Sequence, residues 1–321
     1  MESPHLAIAV VSWNTRSLLA ACLRSLQPHA ERGDTLVVVV DNGSTDGSPE
    51  LVEREFPWAR LIRPQDNLGF GGAVNLAART TGAEWLAAAN ADVVVGDGAL
   101  ETLLSLGRRR PEVGALAPRL ELPSGETQLS WFRFPALHRQ ALAAAGGHRL
   151  SSRVAAHLGF RAPDDLEGER DVDYAMGAFL VFRRWAFDEV GGFDPDQWMY
   201  AEDMDICWRL RRAGWSTVLV PSATVRHVGG AATDDAFAHR AAMLRLAAHY
   251  AWLERRRGRA VMRGYAAANL LGALARLALL RPLAAVAPRR WARARLAVAD
   301  WAAMNRAALA QRGETLRPAR H

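Results

Sequence analysis

Four apolar runs punctuate the first ninety or so residues, and most of them stop on small polar side chains. Leu6 to Val11 ends on Ser12-Trp13-Asn14, and Thr35 to Val40 ends on Asp41-Asn42-Gly43. Arg60 to Arg63 is a shorter third run, and Glu84 to Ala89 ends on Asn90-Ala91-Asp92. Short runs rich in Val, Leu and Ala, without alternation, predict strands buried on both faces. Between them the period changes. Leu18, Leu19, Cys22, Leu23 and Leu26 recur at helical spacing behind Thr15, which stands as the N-cap. Ser48-Pro49 starts a second helix, with proline at its favoured first position, and Asn67 to Asn75 opens a third that runs to about Thr80. Strand and helix alternating in this way predict an α/β fold: a mostly parallel central sheet with helices on both faces.

Beyond Val113 the pattern loosens. Gly114 to Leu122 reads as a strand pair with a turn at Pro123-Ser124-Gly125, and residues 135–170 read as an insertion over the cleft. Tyr174 to Phe182 is a further strand, Gly191 to Pro195 a turn, and Trp198 to Asp205 the lead-in to a helix ending near Ala213. Thr217 to Val220 and Thr224 to Val228 read as two last strands. Residues 236–321 read as two or three helices, and charge separates them from the rest. Residues 1–235 carry 23 Arg against 31 acids, while residues 236–321 carry 17 Arg against 3 acids, a formal −8 and +14. The expected organisation is therefore a catalytic domain over 1–235 and a basic helical tail over 236–321. All 40 basic residues are arginine, which together with the alanine usage reads as a compositional habit, so the high overall pI carries no argument about partners.

Cys22 and Cys207, the only cysteines, form neither a disulfide framework nor a metal cluster and fit a reducing cytosol. The N-terminus lacks a secretory signal pattern. The apolar stretch between Arg263 and Arg281 is interrupted by Arg276, and each piece falls short of the ~20 residues a spanning helix needs, so no transmembrane segment is expected. The tail has no nucleic-acid motif. Its apolar residues Leu270, Leu271, Leu274, Leu277 and Leu280, flanked by arginines, suit an anionic leaflet, and equally a helical cap or dimer surface.

Several residues are placed to do chemistry. In open α/β sheets ligands collect at the carboxyl ends of strands, so Asn90 and Asp92 would stand at the mouth of a cleft. Two such ligands do not enclose a divalent ion, which would complete its shell with water and substrate phosphate. The same pair also suits the cap of a helix beginning near Asp97 to Ala99. Asp41 ends a run of four valines and offers an acceptor in the same crevice, although Asp-Asn-Gly-Ser is also ordinary turn chemistry. Glu202 and Asp203 sit at a helix N-terminus, where the dipole favours carboxylate; either one of them serves as a general base, or both simply complement the helix terminus. Asp205 pairs in sequence with Arg209 at i,i+4. Trp198 and Tyr200 stand just ahead as an acceptor platform or as core aromatics. His227 follows a strand and is either a metal ligand or structural. The glycines at 69, 71 and 72 fail the dinucleotide spacing, because the third falls at Val74, and no Gly-Lys phosphate loop or Gly-x-Ser-x-Gly elbow is present.

Ser12-Trp13-Asn14, Asp41 through Ser48, Asn67 through Asn75, Asn90-Ala91-Asp92, Gly177-Ala178-Phe179, Tyr200 through Asp205 and His227, in this order, resemble glycosyltransferase family 2, nearest its bacterial rhamnosyltransferase-type members. The resemblance covers about residues 5–230. It implies a GT-A type nucleotide-sugar-binding fold with a C-terminal helical extension, and an inverting mechanism using a nucleoside-diphosphate sugar and a divalent cation, Mg or Mn. Carried over by position, Ser12, Trp13, Asn14, Asp41, Asn42, Asn67, Gly69, Asn75 and Asn90 would hold the nucleotide. Asp92 and His227 would hold the metal, and Asp203 would be the base. Trp198, Tyr200, Glu202 and Gly177 would shape the sugar or acceptor site. The chain has Asn-Ala-Asp where an acid is common first, and Trp13 where tyrosine is commoner. Ala287-Pro288-Arg289-Arg290-Trp291 lacks the glutamine of the processive synthases, which favours one sugar per encounter. The resemblance implies an enzyme of cell-surface polysaccharide assembly, moving rhamnose to a glycan or lipid-linked acceptor; the cysteines fit a cytoplasmic location, and the basic tail suits a peripheral place on the inner face of the plasma membrane or, equally, packing as a cap or dimer surface. The alternatives are an inactive nucleotide-sugar-binding module and a sugar-phosphate nucleotidyltransferase.

Overall fold

The computed structural model describes residues 4–144, 168–229 and 235–310. In chain order the elements are β1 (Leu6–Ser12), α1 (Arg16–Glu31), β2 (Thr35–Asp41), α2 (Ser48–Glu55), β3 (Arg60–Ile62), α3 (Gly69–Ala78), β4 (Trp85–Asn90), β5 (Val93–Val95), α4 (Ala99–Arg109), β6 (Val113–Glu121), β7 (Thr127–Gln128), β8 (Trp131–Phe132) and α5 (Leu137–Ala144). They continue as β9 (Arg170–Val172), β10 (Tyr174–Ala175), β11 (Phe179–Arg183), α6 (Arg184–Glu189), α7 (Glu202–Arg212), β12 (Ser216–His227), α8 (Asp235–Arg257), α9 (Arg259–Val286) and α10 (Pro288–Ala310). Two compact units result: α5 and the described helical residues 239–310 form one, and the remaining described elements form the other.

The larger unit is built on one sheet in the order β3-β2-β1-β4-β11-β6-β12-β5, with β7 on the edge of β6 and β9 on β12. β3, β2, β1 and β4 run parallel, as do β6 and β12, while β11 lies antiparallel between β4 and β6. Both faces are covered. Ile8, Val10, Val37 and Val39 share a core with Leu19, Leu23 and Leu26 of α1 and Leu100 and Leu103 of α4. Their neighbours Ala7, Ala9, Val38 and Val40 point the other way and are equally buried. Double burial is why the sequence runs show no alternation. Parallel register also lines up the strand ends: Ser12 is opposite Asp41, and Val11 is opposite Asn90.

The structure departs from the sequence expectations at several points. The expected strand pair about the turn at Pro123-Ser124-Gly125 is present as β6 and β7, but it is unequal: β7 has two residues, whereas β6 is long enough to take β11 and β12 as well. The two last strands are one, β12, whose irregularity between Val220 and Thr224 absorbs Pro221-Ser222. Tyr174 to Phe182 is not one strand; it breaks at Met176-Gly177-Ala178 into β10 and β11. Thr15 makes no side-chain cap: its hydroxyl meets Ser12 Oγ at 3.2 Å, and the N–H of Arg16 donates to Asp46 Oδ2 at 2.9 Å instead. Of the expected insertion over the cleft, residues 137–144 form α5, which groups with the C-terminal helices, and 145–167 lie outside the described residues.

In the helical unit α5 sits close on α9, with Gly272 against Ala144 and Gly264 against Leu137. A buried polar chain ties the helices: Tyr250 donates to Asn305, the Asn269 amide donates to Tyr250 Oη at 2.9 Å, and Gln140 donates to Asn269. Arg276 does not divide the apolar stretch, because α9 is a continuous helix of 28 residues, the one described helix long and apolar enough to cross a membrane.

Trp85 anchors the base of the sheet. It is fully buried, with the Arg183 guanidinium 4.6 Å from its ring. Arg183 also donates to the carbonyls of Gly107 (2.6 Å), Arg110 (3.2 Å) and Val113 (3.1 Å), supplying a cation and donors where α4 ends. A Cβ on Gly107 would lie 2.3 Å from Trp85 Cη2. Alanine in a helix interior gains about 1 kcal/mol over glycine, but overpacking a rigid ring costs about 1–3 kcal/mol. Gly107→Ala is therefore expected to lower stability in urea denaturation; a stability equal to or above wild type would contradict this packing.

Candidate active site

Four strand ends and one helix start meet at the carboxyl edge of the sheet. The first two ends are tied by their own side chains. Asn14, in the left-handed region at φ 52°, takes Ser44 Oγ with its N–H (2.8 Å) and accepts from the Thr45 N–H with Oδ1 (2.8 Å). Asp46 caps the next turn through Ser48 and the Arg16 N–H. Burial opposes its ionisation, but these hydrogen bonds outweigh it and hold the carboxyl below the usual carboxylate range. Asp41 is buried, and its Oδ1 accepts from the N–H groups of Gly43 (3.2 Å) and Ser44 (2.8 Å). Its Oδ2 is enclosed and has no protein partner, an acceptor reserved for something else. Trp13, two residues past the partner position of Val40 on β1, is 51% exposed beside it.

The segment from Asn67 to Asn75 is held as a scaffold. The Asn42 amide donates to the Gly69 carbonyl (3.2 Å) and its Oδ1 accepts from the Leu68 N–H (3.3 Å). Asn67 Oδ1 accepts from the Gly69 N–H, while the Asn67 carbonyl accepts from Trp198 Nε1 at 3.2 Å. Asn75 makes a backbone-like pair with Phe193, donating to its carbonyl (2.8 Å) and accepting from its N–H (2.9 Å). Gly69 has φ +68°, and a Cβ there would lie 2.2 Å from the Trp198 carbonyl oxygen, so only glycine permits this approach. Asn42, Asn67 and Asn75, expected to touch nucleotide, thus spend these side-chain groups on loop geometry, and Trp198 is seated on loop 67–69.

Asp92 lies in the turn between β4 and β5, a short strand the sequence pattern did not reveal. β5 pairs with β12 so that Val93 is opposite His227, and the Val228 N–H donates to the Asp92 carbonyl at 3.0 Å. That register brings His227 Nε2 to 3.4 Å from Asp92 Oδ1. His227 Nδ1 lies 2.8 Å from Gln128 Oε1; donation to that carbonyl fixes the tautomer and leaves the Nε2 lone pair facing Asp92. Asp92 Oδ1 is enclosed without a hydrogen-bond donor. A carboxylate oxygen and an imidazole lone pair aimed at one point fit a divalent cation. Among the described residues no third His, Cys, Asp or Glu joins them, so the remaining ligands would be water and phosphate oxygens. Gln128 had no sequence signal: it sits 99 residues from its partner in a two-residue strand.

Glu202 and Asp203 open α7 behind Tyr200 and Ala201, both left-handed at φ 59° and 63°. Two consecutive non-glycine residues there cost about 1–2 kcal/mol each, strain of the kind held at working sites. Asp203 Oδ2 accepts from the Gly177 N–H at 3.0 Å and Oδ1 from the Met204 N–H at 2.7 Å. Gly177 comes from the break between β10 and β11, and the next residue, Ala178, accepts from the Asn90 N–H at 2.9 Å. The base candidate is thereby referenced to the tip of β4, two residues from Asp92. Burial raises the Asp203 pKa, and the Gly177 and Met204 N–H groups hold it back. Glu202, with Oε2 enclosed and unpartnered, is pushed up to about 8 by burial and then by the charge of Asp203. Asp205 is fully buried in its pair with Arg209 at 2.7 Å, a structural role.

The chain as a whole has counterparts among known proteins. The family described as glycosyltransferase like family 2 matches residues 4–247. An N-acetylglucosaminyl-diphospho-decaprenol L-rhamnosyltransferase of Mycobacterium tuberculosis is 36% identical over 233 residues, covering 69% of this chain and 75% of its own. A pre-mycofactocin glycosyltransferase of the same organism is 34% identical over 196 residues, covering 60% of this chain and 37% of its own. Among solved structures, mannosyltransferase PcManGT from Pyrobaculum calidifontis, in complex with GDP-Man and Mn2+, superposes with TM-score 0.56 at 19% identity over 98% of this chain and 89% of that one. GalNAc-T7 with UDP, GalNAc and Mn2+ gives TM-score 0.52 at 14% identity over 70% of this chain and 43% of that one. Sheet order, family match and relatives agree: the chain belongs to glycosyltransferase family 2 and is an enzyme that transfers a sugar.

Proposed function

We propose that the chain is an inverting transferase that moves one sugar, rhamnose by likeness to its relatives, from a nucleoside diphosphate to a hydroxyl of a lipid-linked glycan in cell-surface polysaccharide assembly. The observation that carries this reading is the linkage of Asp203, through Gly177 and Ala178, to the strand end that bears Asp92. Asp41 Oδ2 would accept from the base, with Trp13 against its face, and Asn90 would stand over the ribose and phosphates. Asp92 and His227 would hold a Mg or Mn ion, which when bound neutralises charge on the diphosphate. The mycobacterial relative's name specifies an acceptor on a decaprenol diphosphate, which supports a lipid-linked acceptor.

In this reading the acceptor oxygen attacks the anomeric carbon on the face opposite the diphosphate. As the new C–O bond forms, the bond to the diphosphate breaks and Asp203 takes the hydroxyl proton. Burial makes Asp203 a stronger base than a surface carboxylate, while its two N–H donors keep it ionised enough to serve. A neutral Glu202 beside it adds no competing charge at the site.

Asp203→Asn is expected to keep donor binding in calorimetry and to lose transfer by about 10²-fold or more. Unchanged turnover would reassign the base. Because the base must be ionised, transfer is lost as pH falls through the raised Asp203 pKa, so the acid limb of the rate profile lies above the ordinary carboxylate range. A Cβ on Gly177 would lie 3.3 Å from Asp203 Cβ and 3.6 Å from Phe70 Cε1. Gly177→Ala should therefore loosen the N–H contact and move that limb to higher pH, with part of the rate returning in alkaline buffer. An equal loss at every pH would make Gly177 a purely structural residue. Glu202 gives a separate test. The folded state holds a proton that the unfolded chain releases between the ordinary 4.5 and about 8, so rising pH favours unfolding across that window. Urea denaturation at both ends should show a smaller loss of stability in Glu202→Gln than in wild type; equal losses would mean that Glu202 ionises normally.

A further inference from the structure

The helical unit leaves an apolar surface open. α9 turns Met262, Ala266, Asn269 and Ala273 inward, where they are buried. At 100° per residue the opposite side carries Leu271, Leu274, Leu279 and Val286, all exposed, with Leu283 beside them. Arg276 and Arg281 leave the helix on the two flanks of this stripe. After the break at Ala287, α10 adds exposed Arg289, Arg290, Arg293 and Arg295, together with Leu296, which is 62% exposed. Residues 255–299 contain eleven arginines and no acidic residue.

A contiguous apolar stripe of this kind marks an interaction surface, and its charge selects the partner. A second copy would set arginine against arginine with no acid to pair. A nucleic acid would engage the arginines and leave the leucines in water. An anionic bilayer satisfies both, with leucines at the acyl boundary and guanidinium groups on the phosphates. Although α9 is long enough to cross, crossing would carry Arg276 into hydrocarbon and strip away the packing that buries Asn269. Lying in the interface lets Arg276 and Arg281 extend to the headgroups and keeps the inner face packed.

We propose that the α9–α10 face docks in the plane of an anionic membrane leaflet, Leu271, Leu274, Leu279, Leu283 and Val286 entering the acyl boundary and the flanking arginines binding lipid phosphates. Its purpose, presenting the site to a lipid-linked acceptor, rests on the function proposed above. The test is sedimentation of the full chain with phosphatidylcholine vesicles, with and without phosphatidylglycerol, in the absence of donor and acceptor. Wild type is expected to bind the anionic vesicles more than about tenfold better than the neutral ones, and to lose that preference in high salt. Leu279→Glu with Leu283→Glu should lose binding to anionic vesicles at low salt. Arg289→Gln with Arg290→Gln and Arg293→Gln should bind neutral and anionic vesicles alike. Both variants should keep the wild-type circular dichroism and transfer to a water-soluble acceptor. No binding by wild type at low salt, equal binding by the leucine variant, or a dimer that Leu279→Glu dissociates would overturn the proposal. Loss of transfer by wild type in the soluble assay would instead count against the proposed reaction and leave the vesicle result standing.

Discussion

The register of the parallel strands is the constraint on which the site depends. Because β1, β2 and β4 pair without slippage, Ser12 finishes beside Asp41, and Asn90 beside Val11 one residue earlier, so the three strand ends lie together. A slip of one residue would turn each of these side chains to the opposite face of the sheet. Packing of both faces prevents it: a slip of β1 would put Ile8 and Val10 where the smaller Ala7 and Ala9 sit, overpacking one buried layer at about 1–3 kcal/mol per side chain and opening cavities in the other. The edge is therefore rigid enough to hold polar groups in unsatisfied positions. Asp41 Oδ2 and Asp92 Oδ1 are enclosed acceptors without protein donors, costly to keep unless a ligand supplies the missing partner.

Asparagine does much of the joining. Asn14, Asn42, Asn67 and Asn75 each imitate a backbone group and replace a hydrogen bond that a loop would otherwise lack. They hold the loops in place, while Asp41 Oδ2 and Asp92 Oδ1 stay without protein donors. The division of labour has a physical reason. An amide supplies donor and acceptor together without charge, so it can be buried in a loop at little cost, whereas a buried carboxylate is stable only where its charge is used or suppressed. Asp203 and Glu202 show both outcomes: two N–H groups support the charge of the first, and enclosure, with the charge of Asp203 beside it, pushes the second up to about 8.

Much of the site was legible in the sequence because strand ends announce themselves. An apolar run stopping on Asp41 or on Asn90-Ala91-Asp92 marks both the element and its functional edge. What stayed hidden depends on contacts distant in the chain. Met176-Gly177-Ala178 is apolar and carries no turn signal beyond one glycine, so it reads as continuous strand; the break exists because Asp203 and Asn90 claim its backbone from two sides. Pro221-Ser222 reads as a strand end, yet a bulge carries β12 through it. Arg276 reads as an interruption of the apolar tail, but arginine is a good helix former and the helix continues. α5 follows the C-terminal helices because Gly264 and Gly272 give it a close seat there, a fit that no local pattern encodes.

In the proposed reaction one base and one cation site work on opposite sides of a single activated sugar. Proton–carbon coupling at the anomeric centre of the purified product, compared with that of the nucleotide-sugar donor, reads this directly. Inverted configuration at that carbon is the predicted result. Retained configuration at that carbon would contradict it.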